Sequence, residues 1–305
     1  MQAWVSPGEV CNRTTRGYRR GYLSPMTARI IDGKALGAQV RSDIRTRVGQ
    51  AHRSVRLDAV LVGTDRSATI YAQNQARNCA EAGIEYHLHT LPSASGFDEI
   101  AGRVLLMNTD ESISAIMLHL PLPEGVDAER VQSLIDPNKD VEGVNPANIG
   151  NVVYGRRSLV PCTALAVIEM IESTGITLRG SNCVVVGASN IVGKPIAVLL
   201  MREEATVISA NKFTQNLAAL TREADVVVVA AGVAALVKRD WIKPGAVVID
   251  VGINRQTGAD GKSFTVGDVD PAVAEVAGWM SPVPGGVGPM TVAMLLRNVA
   301  DAALA

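Results

Sequence analysis

Aromatic side chains are scarce in this chain. Phe, Trp and Tyr together make up 4% of 305 residues, while the hydrophobic share is 47%. Ala, Val, Ile and Leu must therefore fill the core, which suits an α/β protein with buried parallel strands. An excess of one charge is also lacking. The net charge is -1, which argues against bulk attraction to nucleic acid or to a membrane surface. No apolar run reaches the length needed to span a bilayer. The four cysteines, Cys11, Cys79, Cys162 and Cys183, are scattered without paired metal spacing, and no apolar secretory signal is present. Reduced thiols in a cytoplasmic protein are the simplest reading. His87 and His89 share one strand face without a third ligand nearby, so no metal site is expected.

The length points to two domains. Residues 1–25 differ from the rest: Arg13, Arg16, Arg19 and Arg20 face a single acid, Glu9. An Arg-rich, acid-poor leader is compatible with a transit peptide. The plainer expectation is a disordered extension upstream of a start at Met26. From there, apolar periodicity predicts helices over 33–51, 67–82, 97–107 and 128–135, and strands over 57–62, 85–90 and 113–118. Alternating strands and helices imply a parallel sheet covered on both faces. Residues 136–157 are rich in Asn, Gly and Pro and show weak periodicity, so the domain junction is placed there. The expected division is a first domain over 26–150 and a second over 151–285, with a helix over 286–305 returning to the first.

The second unit opens with a crossing helix over 163–173 and the strand Cys183-Val184-Val185-Val186. The run Gly187-Ala188-Ser189-Asn190-Ile191-Val192-Gly193-Lys194-Pro195 follows. Strand, glycine turn and helix form a dinucleotide-binding opening, although the middle glycine is Ser189 and the last is displaced to Gly193. A helix starting near Ile191 would offer free amides to a pyrophosphate. Three more apolar strands, 206–209, 226–230 and 247–251, keep the βαβ rhythm. Near the C-terminus lies Pro282-Val283-Pro284-Gly285-Gly286-Val287-Gly288-Pro289-Met290-Thr291. Proline fixes φ and glycine permits positive φ, so this is a loop of imposed shape, without bulk, against which a flat ligand can lie. Thr291 is expected to cap the helix that follows.

These blocks resemble the methylenetetrahydrofolate dehydrogenase/cyclohydrolase family. The likeness rests on 282–291, 187–195, Pro161-Cys162-Thr163, Leu120-Pro121-Leu122-Pro123 and Asp250-Val251-Gly252-Ile253-Asn254. The resemblance implies an N-terminal parallel-sheet folate domain, a Rossmann-like nucleotide domain, a cleft between them and a homodimer formed through the nucleotide domain. It implies 5,10-methylenetetrahydrofolate as substrate and NADP or NAD as cofactor. Hydride leaves the bridging methylene, and water opens the resulting methenyl cation. The implied folate-side residues are Tyr71, Asp140, Glu142, Pro284, Gly285, Gly288, Pro289 and Thr291. The cofactor-side residues are Gly187, Ser189, Ile191, Gly193, Lys212 and Ile253.

The resemblance breaks at the chemistry. The family's catalytic lysine stands four residues after a tyrosine, on one helix face. Here the tyrosine is Tyr71 and the lysine position is Gln75, an amide that cannot shuttle a proton near neutral pH. The family's glutamine before Leu-Pro-Leu-Pro is His119, and its pterin-anchoring aspartate is Glu142. On the cofactor side, Ala188 replaces a frequent arginine and Asn211-Lys212 a frequent His-Ser pair. No acid stands where NAD enzymes hold the ribose. Lys212 would favour NADP. Three expectations follow: a dehydrogenase with impaired or lost cyclohydrolase activity; a non-redox methylene transferase using His119 as base, with the dinucleotide lost; or a non-catalytic folate-binding subunit.

Overall fold

The computed structural model describes residues 28–304 apart from 65, 157, 258–260 and 262. The extension expected over 1–25 lies outside the described residues. The chain opens on a two-residue strand, β1 (Arg29–Ile30), and the helix α1 (Gly33–Gly49). Asp32 starts α1: its Oδ1 accepts from the amides of Lys34 at 2.9 Å and Ala35 at 3.1 Å, two donors the helix itself leaves unpaired.

There follow β2 (Arg56–Val62), α2 (Arg66–Ala82), β3 (Glu85–Leu91), α3 (Phe97–Thr109) and β4 (Ala115–Leu118). They form a parallel sheet ordered β3-β2-β4. Leu57 and Ala59 of the central strand face one core layer, Val60 and Val62 the other. Burial on both faces suits the Leu, Ala and Val side chains of β2, and the buried Asp58 among them is paired with Arg56 and His89. The edge strand β3 is open, with Leu91 its one buried side chain. The cover expected on both faces thus applies to β2 and β4 but not to β3.

After α4 (Ala128–Gln132) the chain forms a helix where no element was expected, α5 (Pro146–Tyr154). Asn145 caps it by accepting from Ala147 N at 2.8 Å, Pro146 occupies its first turn, and Gly155 closes it at φ 69°. Those three punctuation residues were the available signal. Nine residues with a central glycine give too little periodicity to show it.

The second sheet contains β5 (Asn182–Val186), β6 (Thr206–Ala210), β7 (Val226–Val229), β8 (Val247–Asp250), a short β11 (Trp279–Met280) and β1. Its order is β1-β11-β8-β7-β5-β6, with every pairing parallel. β1 therefore belongs to the second sheet, although it precedes the whole first unit in sequence. Between these strands run α6 (Cys162–Glu172), α7 (Gly193–Arg202) and α8 (Leu217–Arg222). The polar hairpin β9 (Asn254–Thr257) and β10 (Ser263–Val266) stands apart from the sheet. The chain leaves β5 toward β6 on one side and later reaches β7 on the other. That reversal makes a crevice beyond the carboxyl end of β5, where open α/β sheets bind ligands.

The last helix, α9 (Val287–Ala303), packs on α1 and α6. Asn298 Nδ2 donates to the carbonyls of Val141 at 2.9 Å and Val160 at 2.8 Å. One hydrophobic core runs from Ile44 and Leu57 through Met170 and Val185 to Leu296. It seats the two units on the same helices. Among the described residues no helix is long and apolar enough to cross a membrane.

Candidate active site

The face of α2, the loop after β8 and the proline-glycine loop leading into α9 are among the walls of a cavity of 560 Å³. Tyr71 of α2 lines it, with Ile253, Pro284, Gly285, Gly288, Pro289 and Thr291. The structure thus brings together residues drawn from three distant parts of the chain. The proline-glycine loop carries a cis Val283–Pro284 bond, and Gly285 sits at φ 109°. A side chain at Gly33 would collide with the Gly286 carbonyl, so the start of α1 backs the loop at close range. α9 begins at Val287, four residues before the expected cap. Thr291 is therefore inside the helix, and its Oγ1 donates to the Val287 carbonyl at 3.1 Å. Gly286 occupies the cap position without a side-chain bond, and the first turn of α9 itself lines the cavity.

A neighbouring cavity of 510 Å³ is lined by Tyr71, Gln75, Arg77, Gly288, Pro289 and other polar residues of α2, with no lysine among them. Gln75 lies one turn beyond Tyr71 and is 2% exposed. Its amide donates to Cys79 Sγ at 3.7 Å, one turn further on. Burial pushes the Cys79 thiol up to about 12. Behind Tyr71 stands His119, also buried, with the two rings edge to face at 5.8 Å. The Tyr86 hydroxyl lies 2.8 Å from His119 Nε2. Burial holds the His119 imidazole below its usual range. Tyr86 and Cys79 were not marked by the sequence. No motif contains Tyr86, and β3 is separated from the end of β4 by β2.

The two acids differ in role. Asp140 is wholly buried and accepts from Asn145 N at 2.7 Å and Asn148 Nδ2 at 3.0 Å. It braces the turn into α5, its Oδ1 is enclosed without a partner, and like Glu142 it lines none of the cavities described here. Glu142 is held by the Leu118 amide and the Gln132 side chain, yet its Oε2 is enclosed without a partner. Burial, then the Asp140 charge, pushes Glu142 up to about 7. Burial and the Glu142 charge raise the Tyr71 phenol in turn. An enclosed, unpartnered carboxylate oxygen beside Tyr71 is suited to a ligand N–H. A raised carboxyl favours the fold while protonated, so its contribution fades as pH climbs from about 4.5 through 7. Glu142→Gln should therefore raise the melting temperature relative to the parent at pH 8 and change it little at pH 4. Equal shifts at both pH values would show that this carboxyl is not the source.

The crevice beyond β5 holds a third cavity, of 800 Å³, lined by Gly187, Ser189, Lys194, Lys212, Phe213 and others. Gly187 sits at φ 113°, and a side chain there would strike the Ala230 carbonyl. A side chain at Gly193 would strike the Gly187 carbonyl. The displaced glycine therefore lets α7 start directly against the turn. α7 begins at Gly193, two residues later than expected. Ser189 Oγ accepts from Gly193 N at 3.4 Å. Lys194 Nζ donates to Asn190 Oδ1 at 2.7 Å, and Lys212 Nζ lies 5.0 Å from the Phe213 ring centre. Ile191 faces elsewhere, into a 630 Å³ apolar cavity between α5 and α7, so it is not grouped with Gly187 and Lys212. Lys194 and Phe213 were missed as contributors; Lys194 was legible within the glycine run. Asp268, also missed, accepts from the amides of Ala231 and Gly232, both at 2.7 Å, and holds the loop opposite Gly187. Among the described residues no cluster of three His, Cys, Asp or Glu side chains is placed to hold a metal. His89 instead bonds Asp58 at 2.6 Å.

Comparison with known proteins converges on one family. Residues 31–142 match the family model for the tetrahydrofolate dehydrogenase/cyclohydrolase catalytic domain. Residues 161–305 match the NAD(P)-binding domain of the same family. The bifunctional protein FolD of Bordetella bronchiseptica is 48% identical over 282 residues, covering 91% of this chain and 98% of that protein. FolD of Rhodobacter capsulatus is 46% identical over 278 residues, covering 90% and 93%. The crystal structure of the bifunctional enzyme from Campylobacter jejuni superposes with a TM-score of 0.85 at 36% identity, covering 90% and 98%. That of the Trypanosoma brucei enzyme, complexed with NADP and an inhibitor, gives 0.83 at 34%, covering 91% and 97%. The two matched domains, their order and the cleft between them agree, and the chain belongs to the tetrahydrofolate dehydrogenase/cyclohydrolase family.

Proposed function

We propose that the protein oxidises 5,10-methylenetetrahydrofolate with NADP, and is a poor methenyltetrahydrofolate cyclohydrolase. One observation carries the second half. The residue beside Tyr71 at helical spacing is Gln75, buried and engaged with Cys79, and no lysine lines either cavity that Tyr71 borders. Opening a methenyl cation with water requires a group that takes a proton and returns it. An amide does neither.

The first half rests on positioning. Tyr71 and the backbone of 284–289 offer a slot for a flat ring system, and the unpartnered Oε2 of Glu142, whose charge acts on the Tyr71 phenol, is the acceptor for a pterin N–H. The Gly187–Gly193 contact leaves a cradle for a pyrophosphate at the start of α7, and Lys194 and Lys212 supply charge for phosphate groups. A nicotinamide held there would supply the acceptor for a hydride from the bridging methylene. Ile253, exposed in the cleft between the two sides, bounds the place where the two rings would meet. Holding them in register is the protein's main contribution to such a step.

The test is the nicotinamide absorbance band, followed with methylenetetrahydrofolate and NADP, then NAD. Reduction of NADP is expected, with slow loss of the methenyl product. If neither dinucleotide is reduced or bound at millimolar concentration, the dehydrogenase reading fails, and transfer of the methylene group to a nucleophile other than water becomes the better account. Calorimetry gives a further check on the folate side. Glu142→Ala is expected to weaken folate binding by roughly 1.5–3 kcal/mol, the worth of a hydrogen bond to a charged group. Unchanged affinity would remove Glu142 from the site.

A homodimer is part of the same proposal. β6 is the outer strand of its sheet and carries exposed Ile208. Met201, Val153 and Tyr154 expose further apolar surface on the helices of that side. An open strand edge beside apolar surface favours pairing with a second copy. Light scattering at micromolar concentration should give twice the chain mass.

A further inference from the structure

We propose that Tyr86 is a positioning residue for His119: its hydroxyl donates to Nε2 and fixes the imidazole as the tautomer that carries its proton on Nδ1. The geometry is direct. The hydroxyl and Nε2 are 2.8 Å apart, and His119 is 2% exposed. The Tyr86 ring packs against the same core layer that buries Ala59 and Cys79, so its direction is set by packing. On the other side the Tyr71 ring meets the imidazole edge to face at 84°. His119 is thus clamped between a tyrosine of α2 and one of β3, and those two phenols are the titratable groups in contact with it.

The direction of the bond follows from the chemistry of the pair. A phenol is a strong donor and a weak acceptor, while a neutral imidazole nitrogen is a strong acceptor. Among the described residues the Tyr86 hydroxyl has no other partner. Burial raises both phenols and lowers the imidazole, so all three groups are neutral near pH 7. With Nε2 accepting, the ring's single proton must reside on Nδ1. His119 then offers an N–H donor from the position where the resembled family carries a glutamine amide, instead of a free base. With Nε2 engaged by Tyr86, the only remaining ring nitrogen carries a proton, which opposes the role of base that a transferase would need.

The test has one arm that does not depend on activity. Nitrogen-15 NMR of histidine-labelled protein reads the tautomer. The chain has four histidines, and His119→Gln identifies the resonance. The expected result is a proton on Nδ1 in the native protein, moving toward Nε2 in Tyr86→Phe. A native proton on Nε2, or a tautomer unmoved by Tyr86→Phe, overturns the proposal whether or not the protein turns over folate. The kinetic arm rests on the dehydrogenase reading. Tyr86→Phe should lower kcat about tenfold, the worth of one hydrogen bond, with little change in the KM for NADP. In a His119→Gln background the same change should be silent, because an amide has no tautomer to fix. An equal loss in both backgrounds would make Tyr86 merely structural.

Discussion

Gln75→Lys is expected to raise the hydrolysis of methenyltetrahydrofolate by about a hundredfold or more, the usual worth of a positioned proton-transfer group. The site is prepared for it. Position 75 is 2% exposed, one turn from Tyr71 and borders the same cavity. An amine placed there would be largely desolvated, and desolvation lowers an ammonium pKa toward neutrality. A group poised in that way both takes and returns a proton. Hydride transfer does not use it, so the rate of nicotinamide reduction should change far less. The substitution removes the contact with Cys79 Sγ and buries an amine, so some stability is lost. A melt alongside the assay separates that loss from the gain in rate. The idea is sunk if the native protein already hydrolyses the methenyl compound as fast as a lysine-bearing relative.

The parts of the molecule legible in advance are those where backbone chemistry leaves little choice. Strands β5, β7 and β8 are buried runs rich in Val, β2 is apolar apart from Arg56 and the paired Asp58, and each lies within a residue or two of its expected bounds. The proline-glycine loop was readable because its residues dictate its shape. Strands β1 and β11 were not, since two residues carry no period and their pairing joins positions 250 residues apart. Helix α5 was hidden by its shortness, and the polar β9–β10 hairpin by its lack of a buried face. At the site, sequence spacing located Tyr71 with Gln75, and Gly187 with Gly193. Spacing could not show that Gln75 faces Cys79, that Asp140 turns inward as a brace, or that Tyr86 reaches His119. Those contacts cross from one element to another and depend on packing, which no local pattern encodes. Thr291 shows the opposite error: a residue with the right chemistry for a cap sits one turn inside the helix, because Val287–Met290 can already adopt helical geometry over a glycine start.

Replacing Lys194 and Lys212 together with alanine is expected to weaken NADP binding by two orders of magnitude or more. Each lysine lines the crevice cavity beyond β5, one from the first turn of α7 and one from the loop after β6. Neither is held by an acid: Lys194 bonds the neutral Asn190, and Lys212 rests over Phe213. Both ammonium groups are therefore available to a phosphate without first breaking an ion pair. A charge-assisted contact is worth roughly 1.5–3 kcal/mol, so two such contacts correspond to about a hundredfold at the least. The single variants separate the contributions. Lys194 adjoins the Gly187–Gly193 turn proposed to cradle the pyrophosphate, and Lys194→Ala should weaken NADP and NAD alike. Lys212 follows β6, the second strand of this unit, at the place where dinucleotide-binding folds meet the ribose that carries the 2′-phosphate of NADP. Lys212→Ala should cost NADP about tenfold and leave NAD within roughly twofold. Titration of both dinucleotides by fluorescence or calorimetry measures this. Equal loss for NADP and NAD in Lys212→Ala would move Lys212 from the 2′-phosphate to the shared pyrophosphate. No loss in the double variant would mean that the helix amides and Ser189 hold the cofactor without help from either lysine.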